Sequence, residues 1–326
     1  MVGRRAALAV LGVLALASWA LPAQAVAAQP VELAAPYEYL GWGDPQPPAE
    51  AMAASGLHDV TLAFILAARH RCTPAWDGTR PLLGGTDQAA IESVRAAGGD
   101  VDVSFGGWSG RKLGSACKSA GALAAAYQQV IDAYSLKAID IDIEHKEMAS
   151  RKTRMRVVEA LAEVQKADPG LEISITMGTE EAGPGKTELS LISQAAAISF
   201  QPTVWTIMPF DFGPPASDMG DASIRAVEGL AADLASTYHL TLAAAYERAG
   251  ISSMNGDTDE ASETVGLADF QAIADFANEH HLGRLSFWSI NRDRPCKGRE
   301  AAPEGECSGV AQAPYAFSGI DASYHG

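Results

Sequence analysis

Residues Lys137 to Glu144 read Lys-Ala-Ile-Asp-Ile-Asp-Ile-Glu, and no other stretch narrows the fold as far. Ile139, Ile141 and Ile143 alternate with Asp140, Asp142 and Glu144. That is the period of two that sends successive side chains to opposite faces of a β-strand. One face is β-branched and apolar; the other carries three carboxylates at ~7 Å per step. Like charges repel and buried charges lose hydration, so such a row is costly unless water solvates it or a site requires it. A solvated polar face is the plain structural reading. The three isoleucines say instead that the opposite face is buried, which directs the acids into a confined space such as a barrel mouth.

The rest of the chain supplies units for such a barrel. Apolar runs of strand length occur at Tyr37 to Trp42, Val60 to Ala67, Val101 to Phe105, Leu171 to Met177 and Val204 to Met208. Two more, Ile251 to Met254 and Arg284 to Ile290, follow near the C-terminus. Helical stretches separate them: Pro48 to Ser55, Thr86 to Ala97, Ser119 to Tyr134, Ser150 to Ala167, Leu189 to Ser199, Met219 to His239 and Leu267 to His281. Gly98-Gly99 and Asp168-Pro169-Gly170 are stop signals. A last short helix is expected within Ser308 to Phe317. Strands that alternate with helices form a parallel sheet with crossover helices. Eight such units in 326 residues favour one closed (β/α)8 barrel, an α/β fold, over an open sheet. Its active site belongs at the C-terminal ends of the strands. Glu144 ends strand four, Asp211 follows strand six, Trp288 sits late in strand eight, and Gly106-Gly107 close strand three. Residues far apart in sequence therefore converge on one mouth.

The N-terminus reads differently. Arg4 and Arg5, the apolar run Ala6 to Trp19 and the small-residue site Ala23-Gln24-Ala25 form a secretory signal peptide over residues 1–25. Residues 26–36 are an unstructured lead, and the barrel occupies 37–326. An exported, extracellular, monomeric protein is expected. The net charge of −16 argues against nucleic acid and against anionic membranes as partners. Four cysteines in an exported chain suggest two disulfides, with three possible pairings. Cys296 and Cys307 flank a Gly/Pro/Glu loop and are expected to pair locally. Cys72 and Cys117 each follow a strand and are expected to pair across neighbouring loops. No Cys-x-x-Cys or clustered Cys/His spacing suggests a metal, and no cofactor is expected. No Gly-x-Ser-x-Gly elbow marks a serine hydrolase. Gly183-Pro184-Gly185-Lys186-Thr187 fails as a phosphate loop because Glu180 stands where glycine is needed.

Four motifs carry a resemblance. Ser104-Phe105-Gly106-Gly107 resembles the Ser-x-Gly-Gly strand-three motif of family 18 glycoside hydrolases, the bacterial chitinases. Asp140-Ile141-Asp142-Ile143-Glu144 resembles the end of their strand-four motif, Asp-x-x-Asp-x-Asp-x-Glu. Met208-Pro209-Phe210-Asp211 resembles their strand-six Met-x-Tyr-Asp, and Trp288 resembles the strand-eight tryptophan that floors the cleaved sugar's site. The likeness extends to the Cys-x-Pro-x-Trp loop at Cys72 and to Asn291-Arg292-Asp293. It implies a secreted enzyme that cleaves N-acetylglucosamine polymers by substrate-assisted hydrolysis, an exception to the two-carboxylate scheme. Glu144 would protonate the glycosidic oxygen while the substrate's acetamido carbonyl attacks the anomeric carbon, giving an oxazolinium. Asp142 would orient the acetamido group, and Asp140 would share a proton with Asp142 and let it swing. Asp211, Met208, Phe210, Gly106, Gly107 and Trp108 would line the sugar site with Trp288.

Three departures qualify the resemblance. Lys137 and Ala138 stand where the family's first motif Asp and a Gly are usual. Phe210 replaces the Tyr whose hydroxyl serves the acetamido group, and Phe212 fills the position where a related branch carries that Tyr. Asn255 to Gly266 is too short for the inserted domain that deepens the cleft in some chitinases, which implies a shallow groove and internal cleavage. His145, next to Glu144, points away from the acids and takes no catalytic role. Of Trp42, Trp76, Trp108 and Trp205, two or more are expected to pack rather than bind sugar. An endo-β-N-acetylglucosaminidase acting on glycans and a sugar-binding lectin on a retired barrel are the competing readings.

Overall fold

The computed structural model describes residues 1–3, 34–41, 43–213, 218–297 and 305–326. Most of the expected leader and lead, and Trp42, lie outside them. Eight strands form the barrel: β1 (Tyr37–Tyr39), β2 (Asp59–Ala67), β3 (Asp100–Gly106), β4 (Ala138–Asp142), β5 (Glu172–Gly178), β6 (Val204–Met208), β7 (Ala249–Met254) and β8 (Arg284–Trp288). All neighbours run parallel, and β1 pairs with both β2 and β8, so the sheet closes. The single-domain (β/α)8 barrel expected from the alternation is the fold observed.

The periodicity explains how each strand sits. Ile139, Ile141 and Ile143 point outward into the layer between barrel and helices and are at most 1% exposed. Burying each contributes about 2 kcal/mol. The helices complete that layer with their own apolar faces, such as Val157, Leu161 and Val164 of helix Arg151–Ala167. The helices begin where side chains cap them: Ser119 accepts from the Ala122 amide, Ser150 from Thr153 and Asp218 from Asp221. The inward face of the barrel is unusually polar. Thr61, Asp102, Ser104, Asp140, Thr176 and Arg284 are all buried within it.

Four local details differ from the sequence reading. Strand β4 ends at Asp142; Ile143 and Glu144 lie beyond the ladder, and Glu144 precedes a short helix, His145–Ala149. A short strand, Pro74–Trp76, runs antiparallel to β2. Asn255 to Gly266 holds no inserted domain but a two-stranded hairpin, Gly256–Asp257 with Thr264–Val265. The tail helix is Ala316–Asp321, later than expected, because Asp293 takes the amides of Phe317 and Ser318 at 3.1 and 2.7 Å and fixes where that helix starts. Both expected disulfides form, Cys72–Cys117 and Cys296–Cys307. Lys137, odd if inward, points out at the foot of the barrel and pairs with Asp100 at 2.7 Å.

Candidate active site

A groove of ≈ 1280 Å³ opens at the C-terminal ends of the strands. Its lining brings together Asp142 and Glu144 from β4 and its exit, Met208, Phe210 and Asp211 from the end of β6, and Trp288 from β8. Trp108 joins them from the loop after β3, 67% exposed. Residues separated by up to 180 positions in the chain thus meet because parallel strands all deliver their ends to one mouth.

The glycines of β3 serve this arrangement from behind. A Cβ on Gly106 would lie 2.0 Å from the Asp142 carbonyl oxygen, and one on Gly107 would lie 2.7 Å from the Phe64 ring. Both have positive φ, 118° and 79°. They do not line the groove among the described residues; they let β3 approach the acidic strand and the aromatic wall. The wall itself includes a residue the sequence reading missed. Phe64 stacks on Trp288 with centroids 5.6 Å apart and planes 14° from parallel. Tyr37 and Tyr39 flank the same pair.

The acids differ sharply in surroundings. Asp140 lies below the groove, 0% exposed. Its Oδ2 accepts from Ser104 at 2.6 Å and Tyr37 at 2.9 Å. Its Oδ1 accepts from Thr176 at 2.6 Å and Arg284 at 3.1 Å. Asp142, one layer up and 4% exposed, has an oxygen with no hydrogen-bond partner. Burial first, then the charges of Glu144 and Asp140, push its carboxyl well above the usual range. Four donors from four other strands thus surround Asp140. Glu144 is raised from 4.5 to about 7, mainly by burial and also by Asp211 and Asp259, while Lys112 opposes the rise. A carboxyl there keeps its proton close to neutral pH and suits a general acid.

Asp211 sits beyond β6 with φ 56° and is exposed. The amides of Asp211 and Phe212 donate to the two oxygens of buried Glu263 at 2.8 and 2.9 Å, so the hairpin after β7 pins the turn after β6. The same hairpin adds Asp259 and Glu260 to the groove. His145 is exposed and its ring meets Trp108 edge-on. Trp76 and Trp205 are fully buried packing residues. Lys112, Glu263 and Arg284 carried no motif. Arg284 was nonetheless legible by parity, since Arg284, Ser286 and Trp288 share one face of β8.

A closed parallel barrel whose mouth gathers a neutral-pH carboxyl acid, a second buried carboxyl and a stacked aromatic floor has the groups that glycoside hydrolysis calls for. The likenesses to known proteins narrow this. No family model matches the chain. The Escherichia coli "probable bifunctional chitinase/lysozyme" is 28% identical over 281 residues, 81% of this chain and 31% of that protein. "Endochitinase 11" of Metarhizium anisopliae is 27% identical over 72% of this chain and 47% of that protein. The chain thus spans less than half of the length of either of these curated relatives. The catalytic domain of the hyperthermophilic chitinase from Pyrococcus furiosus superposes with a TM-score of 0.81 at 28% identity, over 90% of this chain and 95% of that domain. In its motifs and its barrel the chain is similar to the family 18 glycoside hydrolases.

Proposed function

We propose that the protein is an exported chitinase that cleaves β-1,4-linked N-acetylglucosamine chains with retention of configuration. The observation that carries this reading is the pairing of Glu144, which holds its proton to about pH 7, with a buried Asp142 oxygen that has no partner in the protein. Glu144 protonates the glycosidic oxygen as the bond to the anomeric carbon breaks. The substrate's own acetamido oxygen bonds to that carbon from the opposite face, giving an oxazolinium. Water then attacks, Glu144 takes its proton back, and the original configuration returns. Asp142 orients the acetamido N–H and stabilises its growing positive charge. Trp288, held against Phe64, offers a flat apolar floor to the sugar. Asp211 and Trp108 contact sugars nearer the rim. The open groove, walled by a hairpin rather than an inserted domain, favours cleavage within a chain. Arg4, Arg5 and the apolar run after them support export, as do two disulfides.

Proton NMR of the first products from chitin hexasaccharide tests the mechanism. The β-anomer is expected before mutarotation; the α-anomer would remove the substrate-assisted route.

A further inference from the structure

The chain is acidic, with 40 acids against 24 basic residues, yet one corner of the barrel mouth is the reverse. The segment after β2 carries Arg69, His70 and Arg71, and the segment after β3 carries Arg111 and Lys118. All five are exposed. No Asp or Glu occurs from Val60 to Trp76 or from Val103 to Ile131. Glu163 of helix Arg151–Ala167 reaches Gly121. Among the described residues, no ion pair joins it or any other acid to Arg69, His70, Arg71, Arg111 or Lys118. Lys112, next to Arg111, does the opposite: it is buried and faces Asp142, Glu144 and Glu147.

The two segments form one surface. The Ala67 amide donates to the Arg111 carbonyl at 2.8 Å, and a Cβ on Gly110 would collide with Leu66. The Cys72–Cys117 disulfide holds the Cα atoms next to Arg71 and Lys118 at 4.6 Å. Arg69 and His70 have φ of 49° and 59°, left-handed backbone that costs a residue with a Cβ roughly 1 kcal/mol or more. The Ala68 and Arg71 amides fix this tip, donating to the carbonyls of Thr73 and Ala68 at 2.8 Å each. Both strained side chains are exposed, so core packing does not account for the strain. Its effect is to hold three successive basic residues at the surface.

Leu66, Trp108, Ser109 and Gly110 of the same two segments line one end of the groove. An exposed indole beside unpaired guanidinium groups matches a sugar that carries an acid. The indole takes the apolar face of the ring, and the guanidinium fork takes the carboxylate through two hydrogen bonds. The opposing acids Asp211, Asp259 and Glu260 follow β6 and β7, four places round the barrel from β2 and β3. Screening acts over ~8 Å at physiological salt, so a single flexible strand on this corner feels its cations and little of those acids. A flat anionic bilayer would face the acidic remainder of the molecule as well.

We propose that this corner is an exosite for an acid-bearing polysaccharide, whose carboxylates meet Arg69, Arg71, Arg111 and Lys118 beside the groove. The exosite tethers the protein to a neighbouring polymer and takes no part in bond cleavage.

The test is calorimetric binding of polygalacturonate to the full protein and to a quadruple variant, Arg69→Ser, Arg71→Ser, Arg111→Ser and Lys118→Ser. The parent is expected to bind, with affinity falling roughly tenfold or more between 50 and 200 mM salt. The quadruple variant is expected to bind at least about tenfold more weakly and to cleave chitin hexasaccharide at the parent's rate. A triple Arg→Lys variant at 69, 71 and 111 keeps the charge and most of the binding. No binding by the parent, or equal binding by parent and quadruple variant, would overturn the proposal. Should the quadruple variant fail to fold, Arg71→Glu decides in the same assay, and an unaltered affinity there would sink the exosite. Poly-glutamate carries the same carboxylates without sugar rings, so binding as tight as that of polygalacturonate would strike the polysaccharide ligand. A parent that binds polygalacturonate but cleaves no chitin would strike the hydrolase reading and keep the exosite.

Discussion

A carboxyl that must donate a proton fails once it is ionised, so on the proposed function Glu144 sets an upper pH limit on catalysis. An ordinary glutamate at 4.5 would be only about 0.3% protonated at pH 7. At about 7, where burial and the charges of Asp211 and Asp259 place Glu144, half the molecules carry the acid, a gain of about 150-fold. The basic limb of kcat/KM is therefore expected near pH 7, with a fall of about 50-fold between pH 7 and 9. Because Glu144 and Asp142 interact, the limb belongs to the pair. Lys112, 6% exposed, is the cation that opposes this rise and also faces Asp142 and Glu147. Lys112→Met removes a positive charge from buried acids, which shifts the limb up by about one unit, so the variant retains about ten times more of its activity than the parent at pH 9. The assay is initial-rate hydrolysis of a fluorogenic chitobioside from pH 4 to 10, with circular dichroism to confirm folding. A limb at pH 5 in the parent, or a downward move in Lys112→Met, would show that burial does not set the acid.

Other perturbations probe separate parts of the molecule. Glu147 is buried and raised from 4.5 to about 7, chiefly by burial. A carboxyl raised on folding contributes stability at low pH and loses it as pH rises through about 7, here up to about 3 kcal/mol. Glu147→Gln should therefore flatten the decline in melting temperature from pH 5 to 8, and an unchanged decline would clear Glu147. Cys72–Cys117 closes a separation of 45 residues, which corresponds to about 4 kcal/mol. The double serine variant should unfold at correspondingly lower denaturant, and an unchanged midpoint would deny the constraint. Phe210 lines the groove where the resemblance expects a hydroxyl. Phe210→Tyr should raise kcat about tenfold or more, with less effect on KM; no gain would mean that another donor already serves the acetamido group.

The alternation of β4 and the spacing of the other runs made the barrel legible, because a period of two with one apolar face has few other uses. Convergence of Glu144, Asp211 and Trp288 followed from strand order alone. What stayed hidden depended on register and side-chain direction. Lys137 shares the outward parity of Ile139, Ile141 and Ile143, but its partner Asp100 at the foot of the barrel could not be read from the motif. Gly106 and Gly107 look like contacts for substrate, yet their lack of Cβ serves Asp142 and Phe64. Arg284, Thr176 and Tyr37 meet Asp140 from three strands that no motif links. Glu263 holds the Phe210 turn through two amides, a contact that depends on how the hairpin folds back.

Chitin hexasaccharide incubated with the purified protein and with Glu144→Gln, followed by chromatography of the products, decides whether this barrel is a hydrolase that uses Glu144. Cleavage by the parent, with at least a hundredfold loss in a folded Glu144→Gln that still binds the sugar, is the expected result. Equal cleavage by both would remove Glu144 as the acid, and binding without cleavage by either would make the groove a lectin site.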